Sequence, residues 1–133
     1  MKIYLADTHA LLWYAGGQLE RLGARARRVF ARLGSGTCQI ALSVVSLWEI
    51  AILHDEGTIH LRQGFSAWCD AVDATDGFRI EPLLRADVEE ARSLRGLIDP
   101  HDRLIAGTAV RLAAPLITRD RRISRDTRVK TLW

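Results

Sequence analysis

Cysteine, proline and long apolar runs are all scarce in this chain, and each scarcity closes off a class of protein. The two cysteines, Cys38 and Cys69, make neither a C-x-x-C pair nor a disulfide-dense pattern, so no disulfide framework is expected and a reducing, cytoplasmic address is predicted. The apolar run Ile3-Tyr4-Leu5-Ala6 is broken by Asp7 and His9 before a signal-peptide core of about 7–15 residues can form, and no membrane span is expected. His9, His54, His60 and His101 lack H-E-x-x-H or other close ligand spacing, which argues against zinc. Gly16-Gly17 and Gly34-Ser35-Gly36 form neither G-x-G-x-x-G nor a P-loop, which argues against a nucleotide-binding enzyme. No repeat, linker or low-complexity tract interrupts the 133 residues, so residues 1–133 are read as one domain.

What is present is an ordinary globular composition, 48% hydrophobic and 26% charged, with a mean hydropathy of -0.00. Runs of β-branched and apolar residues alternate with stretches of helical period, the pattern of a parallel sheet sandwiched between helices. This predicts an α/β fold with five strands: Ile3–Ala6, Gln39–Val45, Phe78–Glu81, Leu116–Thr118 and Val129–Leu132. Leu19, Leu22, Ala26, Val29, Phe30 and Leu33 recur at helical spacing, with Arg21, Arg25, Arg28 and Arg32 on the other face. Ser46-Leu47-Trp48-Glu49 reads as a capping box opening a helix that Gly57 closes. A short helix from Ser66 to Ala74 and another over Ala86–Leu94 follow, and Asp99-Pro100 reads as an N-cap and N1 proline starting a helix to about Ala113.

Ligands of open α/β sheets gather outside the carboxyl ends of the strands. Asp7 follows the first strand, Glu49 lies in the first turn after the second, and Asp120 follows the fourth. Asp102 joins them, because a helix feeding a parallel strand runs antiparallel to it and so starts at that same edge. Four converging carboxylates without a matching basic run repel one another unless a cation sits among them. Oxygen-only ligands suit Mg²⁺ or Mn²⁺, and a hydrated divalent ion beside a phosphodiester points to metal-assisted hydrolysis. Thr8 and Thr118 flank this edge with hydroxyls able to orient a carboxylate or a phosphate.

Charge supports a polyanionic substrate. The formal net charge is +3, and setting aside four metal-neutralised acids leaves 19 basic residues against 12 acidic. Arg119, Arg121, Arg122, Arg125, Arg128 and Lys130 cluster after the fourth strand, placed to hold phosphates beside the metal.

Taken singly, each acid has a structural explanation: Glu49 as the acid of a capping box, Asp102 as a first-turn acid favoured by the helix dipole, Asp7 and Asp120 as turn-formers. Their convergence is what favours chemistry. Asp99 is better explained as a cap, and Asp70, Asp73 and Asp76 as a solvated face. Trp13, Trp48, Trp68 and Trp133 fit core or dimer-interface positions better than base-stacking platforms.

The stretches Asp7-Thr8, Ser46-Leu47-Trp48-Glu49-Ile50, Asp99-Pro100-His101-Asp102-Arg103-Leu104-Ile105-Ala106 and Thr118-Arg119-Asp120-Arg121, in that order, resemble those of PIN-domain ribonucleases, in particular the VapC-type toxins. The resemblance spans nearly the whole chain. It implies a five-stranded parallel sheet, Mg²⁺- or Mn²⁺-dependent endoribonuclease activity, and four acidic site residues falling on Asp7, Glu49, Asp102 and Asp120. It further implies a homodimeric toxin, structured RNA such as tRNA as target, and a small cognate antitoxin whose tail covers the acids. His101 departs from relatives, which often carry an apolar or small residue there. Rival readings are a catalytically inactive PIN-fold module that binds RNA or protein, and a phosphotransfer domain with a strand-end aspartate nucleophile. Asp7-Thr8-His9 lacks the second aspartate of a D-x-D pattern, which weakens the latter.

Overall fold

In the computed structural model, which describes residues 1–133, five parallel strands form one sheet: β1 (Lys2–Ala6), β2 (Cys38–Ser43), β3 (Phe78–Glu81), β4 (Leu116–Ile117) and β5 (Thr131–Leu132). Their order is β3-β2-β1-β4-β5, with β1 in the middle, paired from Lys2↔Cys38 to Ala6↔Leu42 on one side and Leu5↔Leu116, Ala6↔Ile117 on the other. Seven helices cover it: α1 (Thr8–Ala15), α2 (Ala24–Phe30), α3 (Val44–Asp55), α4 (Phe65–Ala74), α5 (Arg85–Ser93), α6 (Pro100–Leu112) and α7 (Arg121–Ser124). The α/β sandwich expected from the sequence is the observed one.

Side chains alternate between the sheet's two faces, and both faces are buried. Tyr4 and Ala6 of β1 and Ile40 and Leu42 of β2 join Leu11, Phe30 and Ile50 in one core. Leu5 and Ala41 point the other way, against Leu94, Ile105, Ala109 and Ile123. From β1 the chain builds β2 and β3 on one side, then returns to build β4 and β5 on the other. That order places the topological switch between β1 and β4, where a crevice opens at the carboxyl edge.

Several boundaries differ from expectation for identifiable reasons. The second strand stops at Ser43 rather than Val45, because Ser43 is the true N-cap of α3: it has φ -69° and ψ 142°, and its hydroxyl accepts the Val45 amide at 3.0 Å. Ser46 is therefore buried inside the helix rather than capping it, and Glu49 sits in the second turn. The fourth and fifth strands are two residues each, shorter than read. The continuous helix expected over Leu19–Leu33 is a 3-10 turn at Leu19–Arg21 followed by α2, with Gly23 as the cap between them. A Cβ on Gly23 would lie 2.4 Å from the Trp133 carbonyl carbon, and the Trp133 oxygen accepts the Arg25 and Ala26 amides at 3.0 and 3.1 Å. The chain's last described residue thus supplies the cap that Gly23 lacks. Helices α1 and α7 have no counterpart in the sequence reading.

An ion-pair network ties β3, α5 and α6 together. Asp87 is fully buried and accepts the Leu84 amide at 2.9 Å, while Arg111 of α6 donates to both Asp87 oxygens and, at 2.9 Å, to Glu81. Arg79 adds a second guanidinium to Glu81 at 2.7 Å. Gly107 permits the underlying helix approach, since a Cβ there would meet the Asp87 carbonyl oxygen at 2.5 Å.

Candidate active site

Each of the four acids singled out from the sequence is positioned by a short local structure. Asp7 leaves β1 in extended conformation and caps α1, its Oδ1 accepting the Ala10 amide at 2.8 Å. Asp120 caps α7 in the same way, accepting the Arg122 amide at 2.8 Å, while its own amide donates to the Thr118 hydroxyl at 3.1 Å. Asp102 lies in the first turn of α6, its amide held by Asp99 at 3.0 Å. Glu49 reaches across from α3, where its Oε1 lies 2.7 Å from the hydroxyl of buried Thr8. Thr8 also lies 3.0 Å from Ser46. A hydroxyl has one proton to give, and the carboxylate is the shorter and stronger acceptor for that of Thr8.

All four acids line one open cleft of about 500 Å³, with Asp99, Arg119 and Arg121 on its margin. Asp99 was expected only as a helix cap; it caps the helix and faces the cleft as well. The signal for the second role lies in the first, because a cap and the third helical residue are neighbours in space. Trp13 also lines the cleft, with the Arg119 guanidinium 4.5 Å from its ring centroid and Trp133 packed edge-on against it. Trp13 is buried as expected, whereas Trp48 is the exposed tryptophan.

The electrostatics are those of crowded, poorly compensated anions. Burial, followed by repulsion from Asp99, Asp120, Glu49 and Asp7, pushes the Asp102 carboxyl up to about 6. Burial also raises Asp7, and Asp120 adds to that, against opposing help from Thr118, the Ala10 amide and His9. Neither Asp7 nor Asp102 has a salt bridge; Glu49 meets only His101 at 3.8 Å, and Asp120 only Arg122 at 3.8 Å. His101 therefore faces the acidic group from the first turn of α6.

The profile of the PIN domain family matches residues 4–128. This chain belongs to the PIN domain family. It is 28% identical over 137 residues to ribonuclease VapC22 of Mycobacterium tuberculosis (strain ATCC 25618 / H37Rv), with both chains covered in full. Among solved structures, VapBC2 from Rickettsia felis, bound to a DNA fragment from their promoter, matches with a TM-score of 0.73 at 17% identity over 98% of each chain. FitAcB from Neisseria gonorrhoeae matches with a TM-score of 0.67 at 17% identity, covering 98% of this chain and 96% of that one. At such identities the two structures speak for the fold alone. No helix of this PIN domain is long and apolar enough to cross a membrane.

Whether the PIN domain's acids suit a metal divides into chemistry and geometry. The donor set fits a hard divalent cation: all oxygen, anionic, with the caps on Asp7 and Asp120 each engaging Oδ1. As they stand, no group of three His, Cys, Asp or Glu side chains is arranged to hold an ion.

Proposed function

We propose that this PIN domain is a Mg²⁺- or Mn²⁺-dependent endoribonuclease, the VapC-type toxin of a type II toxin–antitoxin pair, acting in the cytoplasm. The observation that carries the reading is the cleft itself: four carboxylates from four elements, gathered at the topological switch with almost no basic compensation. The full-length likeness to a curated ribonuclease supports it.

In this reading Asp7, Asp102 and Asp120 bind the metal, and Glu49 shares that binding or positions the attacking water. A bound divalent ion would supply Lewis acidity toward a phosphoryl oxygen and make an attacking water more acidic. Thr8 keeps the Glu49 carboxylate turned into the cleft, and Thr118 steadies Asp7 and the turn into α7. Arg119, oriented by its stacking on Trp13, and Arg121 face substrate phosphates. The substrate is RNA, tRNA-like or single-stranded and looped, where bases splay out and can be read. The physiological form is a homodimer restrained by a cognate antitoxin that covers the acids.

A second reading has one observation behind it. Asp7 and Asp120 serve as helix caps and no three acids stand ready to hold an ion, as a catalytically inactive RNA- or protein-binding module would have it. Purified protein with Mn²⁺, end-labelled tRNA and a single-stranded RNA separates the two, beside EDTA and Asp7→Asn controls. Cutting that disappears in both controls is the expected result. Uncut RNA from folded, antitoxin-free protein would move the assignment to the binding module.

A further inference from the structure

A second concavity adjoins the acidic cleft and shares Arg119, Arg121 and Trp133 with it. It has a volume of about 480 Å³, and its remaining lining includes Arg25 from α2 together with Thr118, Ser124 and Thr131. Its charge is opposite to that of the cleft: three guanidiniums and no carboxylate side chain. Like most arginines of the chain, Arg25, Arg119 and Arg121 have no salt bridge, and here three such cations meet at one pocket. The backbone oxygen of Trp133, which lines the pocket, is engaged by the Arg25 and Ala26 amides.

Arg25 stands out within this group. It is the second residue of α2, where a cation opposes the positive end of the helix dipole, so helix stability gives no reason for it. The sequence alone makes it one of several arginines on a solvated helix face. In three dimensions it is the one that reaches a pocket beside Arg119 and Arg121, which lie almost a hundred residues away in the chain.

We propose that Arg25, Arg119 and Arg121 form a phosphate-binding pocket that holds the RNA backbone next to the bond being cut. This rests on reading the acidic cleft as a ribonuclease site. An RNA strand crossing from one concavity to the other meets metal-binding carboxylates at the scissile phosphate and guanidiniums at its neighbour. Guanidiniums form forked hydrogen bonds with phosphate oxygens, and the hydroxyl of Thr131 adds a shorter-range donor. The alternation of sign also sets the register, because a phosphate slipped into the metal-free acids is repelled.

The test compares Arg25→Ala with Arg28→Ala, an equal charge change on the same helix outside the pocket. Metal-free protein in EDTA at low salt is titrated into a labelled single-stranded RNA with a 5′-hydroxyl, so that only internal phosphates are read and no cleavage intervenes. Arg25→Ala should weaken binding on the order of tenfold and flatten the logarithmic salt dependence by about 0.7, the share of one phosphate contact to a single strand. Arg28→Ala should change neither. With Mn²⁺, Arg25→Ala should raise KM while leaving kcat near the parent value. Its melting temperature should be unchanged or higher, since the unfavourable helix-end cation is gone, so weak binding cannot be ascribed to unfolding. Equal losses in the two variants, or an unchanged KM in Arg25→Ala, would overturn the pocket and leave the nuclease standing. A parent that neither cuts RNA with Mn²⁺ nor binds it in EDTA would remove both.

Discussion

The carboxyl edge of this sheet carries two groups of acids that have opposite fates. On the β3 margin, Glu81 and Asp87 are the more deeply buried, and each is held by the Arg111 guanidinium. At the β1–β4 switch, Asp7, Glu49, Asp102 and Asp120 are less buried, yet they lack a tight basic partner. Burial therefore does not set the two groups apart; the supply of counter-charge does. One arginine neutralises the first group, and the second has no equivalent.

Removing that arginine is the harshest way to break the contrast. Arg111→Ala strands Asp87 as an uncompensated buried charge and should cost about 3–5 kcal/mol, measurable by urea unfolding. A loss under 1 kcal/mol would mean that water reaches Asp87 and that the two groups are alike after all. A divalent ion should do for the second group what Arg111 does for the first. With Mn²⁺ at about 100 times its dissociation constant, the folded state should gain roughly 2.7 kcal/mol, seen as a raised melting temperature, and Asp102→Asn should blunt the gain. An identical shift in Asp102→Asn would place the ion elsewhere.

Asp7→Asn sharpens the comparison by separating charge from structure. Asparagine caps helices as well as aspartate does, so stability should hold while RNA cleavage falls by about 100-fold or more. Retained cleavage would take Asp7 out of the metal site. The smallest effect is that of pH. Because the folded state raises Asp102 from 3.8 to about 6, the stabilisation linked to its proton is complete below the unfolded value and is lost as pH rises through about 6. Metal-free protein should thus be more stable at about pH 5 than at about pH 7. The gain is on the order of 1 kcal/mol once solvent screening at this half-exposed group is allowed for. Asp102→Asn should flatten that slope, and an unaltered slope in the variant would assign the proton to another group.

How much of this could be read beforehand depended on whether the signal was local. Asp99-Pro100 announces α6 because a cap and an N1 proline act within one turn, and β3 ends where Pro82 begins. The edge to which Asp7, Glu49, Asp102 and Asp120 belong follows from parallel topology, and all four line one cleft. Ser46 was misleading because its spacing to Glu49 suits a capping box equally well, and only the extended backbone at Ser43 decides where α3 begins. The pairing of Arg111 with Glu81 and Asp87, and the approach of Arg25 to Arg119, join residues far apart in the chain. No periodicity or motif carries such contacts, so they become visible only in the fold.

The capping of α2 by the Trp133 carbonyl has a bearing on the life of the chain before it is folded. A helix near the start of the sequence is completed by a residue supplied at its far end, and β1 cannot take its central place until β4 arrives beside it. Contacts of such long sequence separation form late and slowly. During synthesis, which proceeds from the N-terminus, Asp7 and Glu49 emerge well before Asp102 and Asp120 exist. A cleft whose acids come from both halves of the chain does not exist until the second half has been made, so whatever the cleft binds, a growing chain cannot yet bind it there.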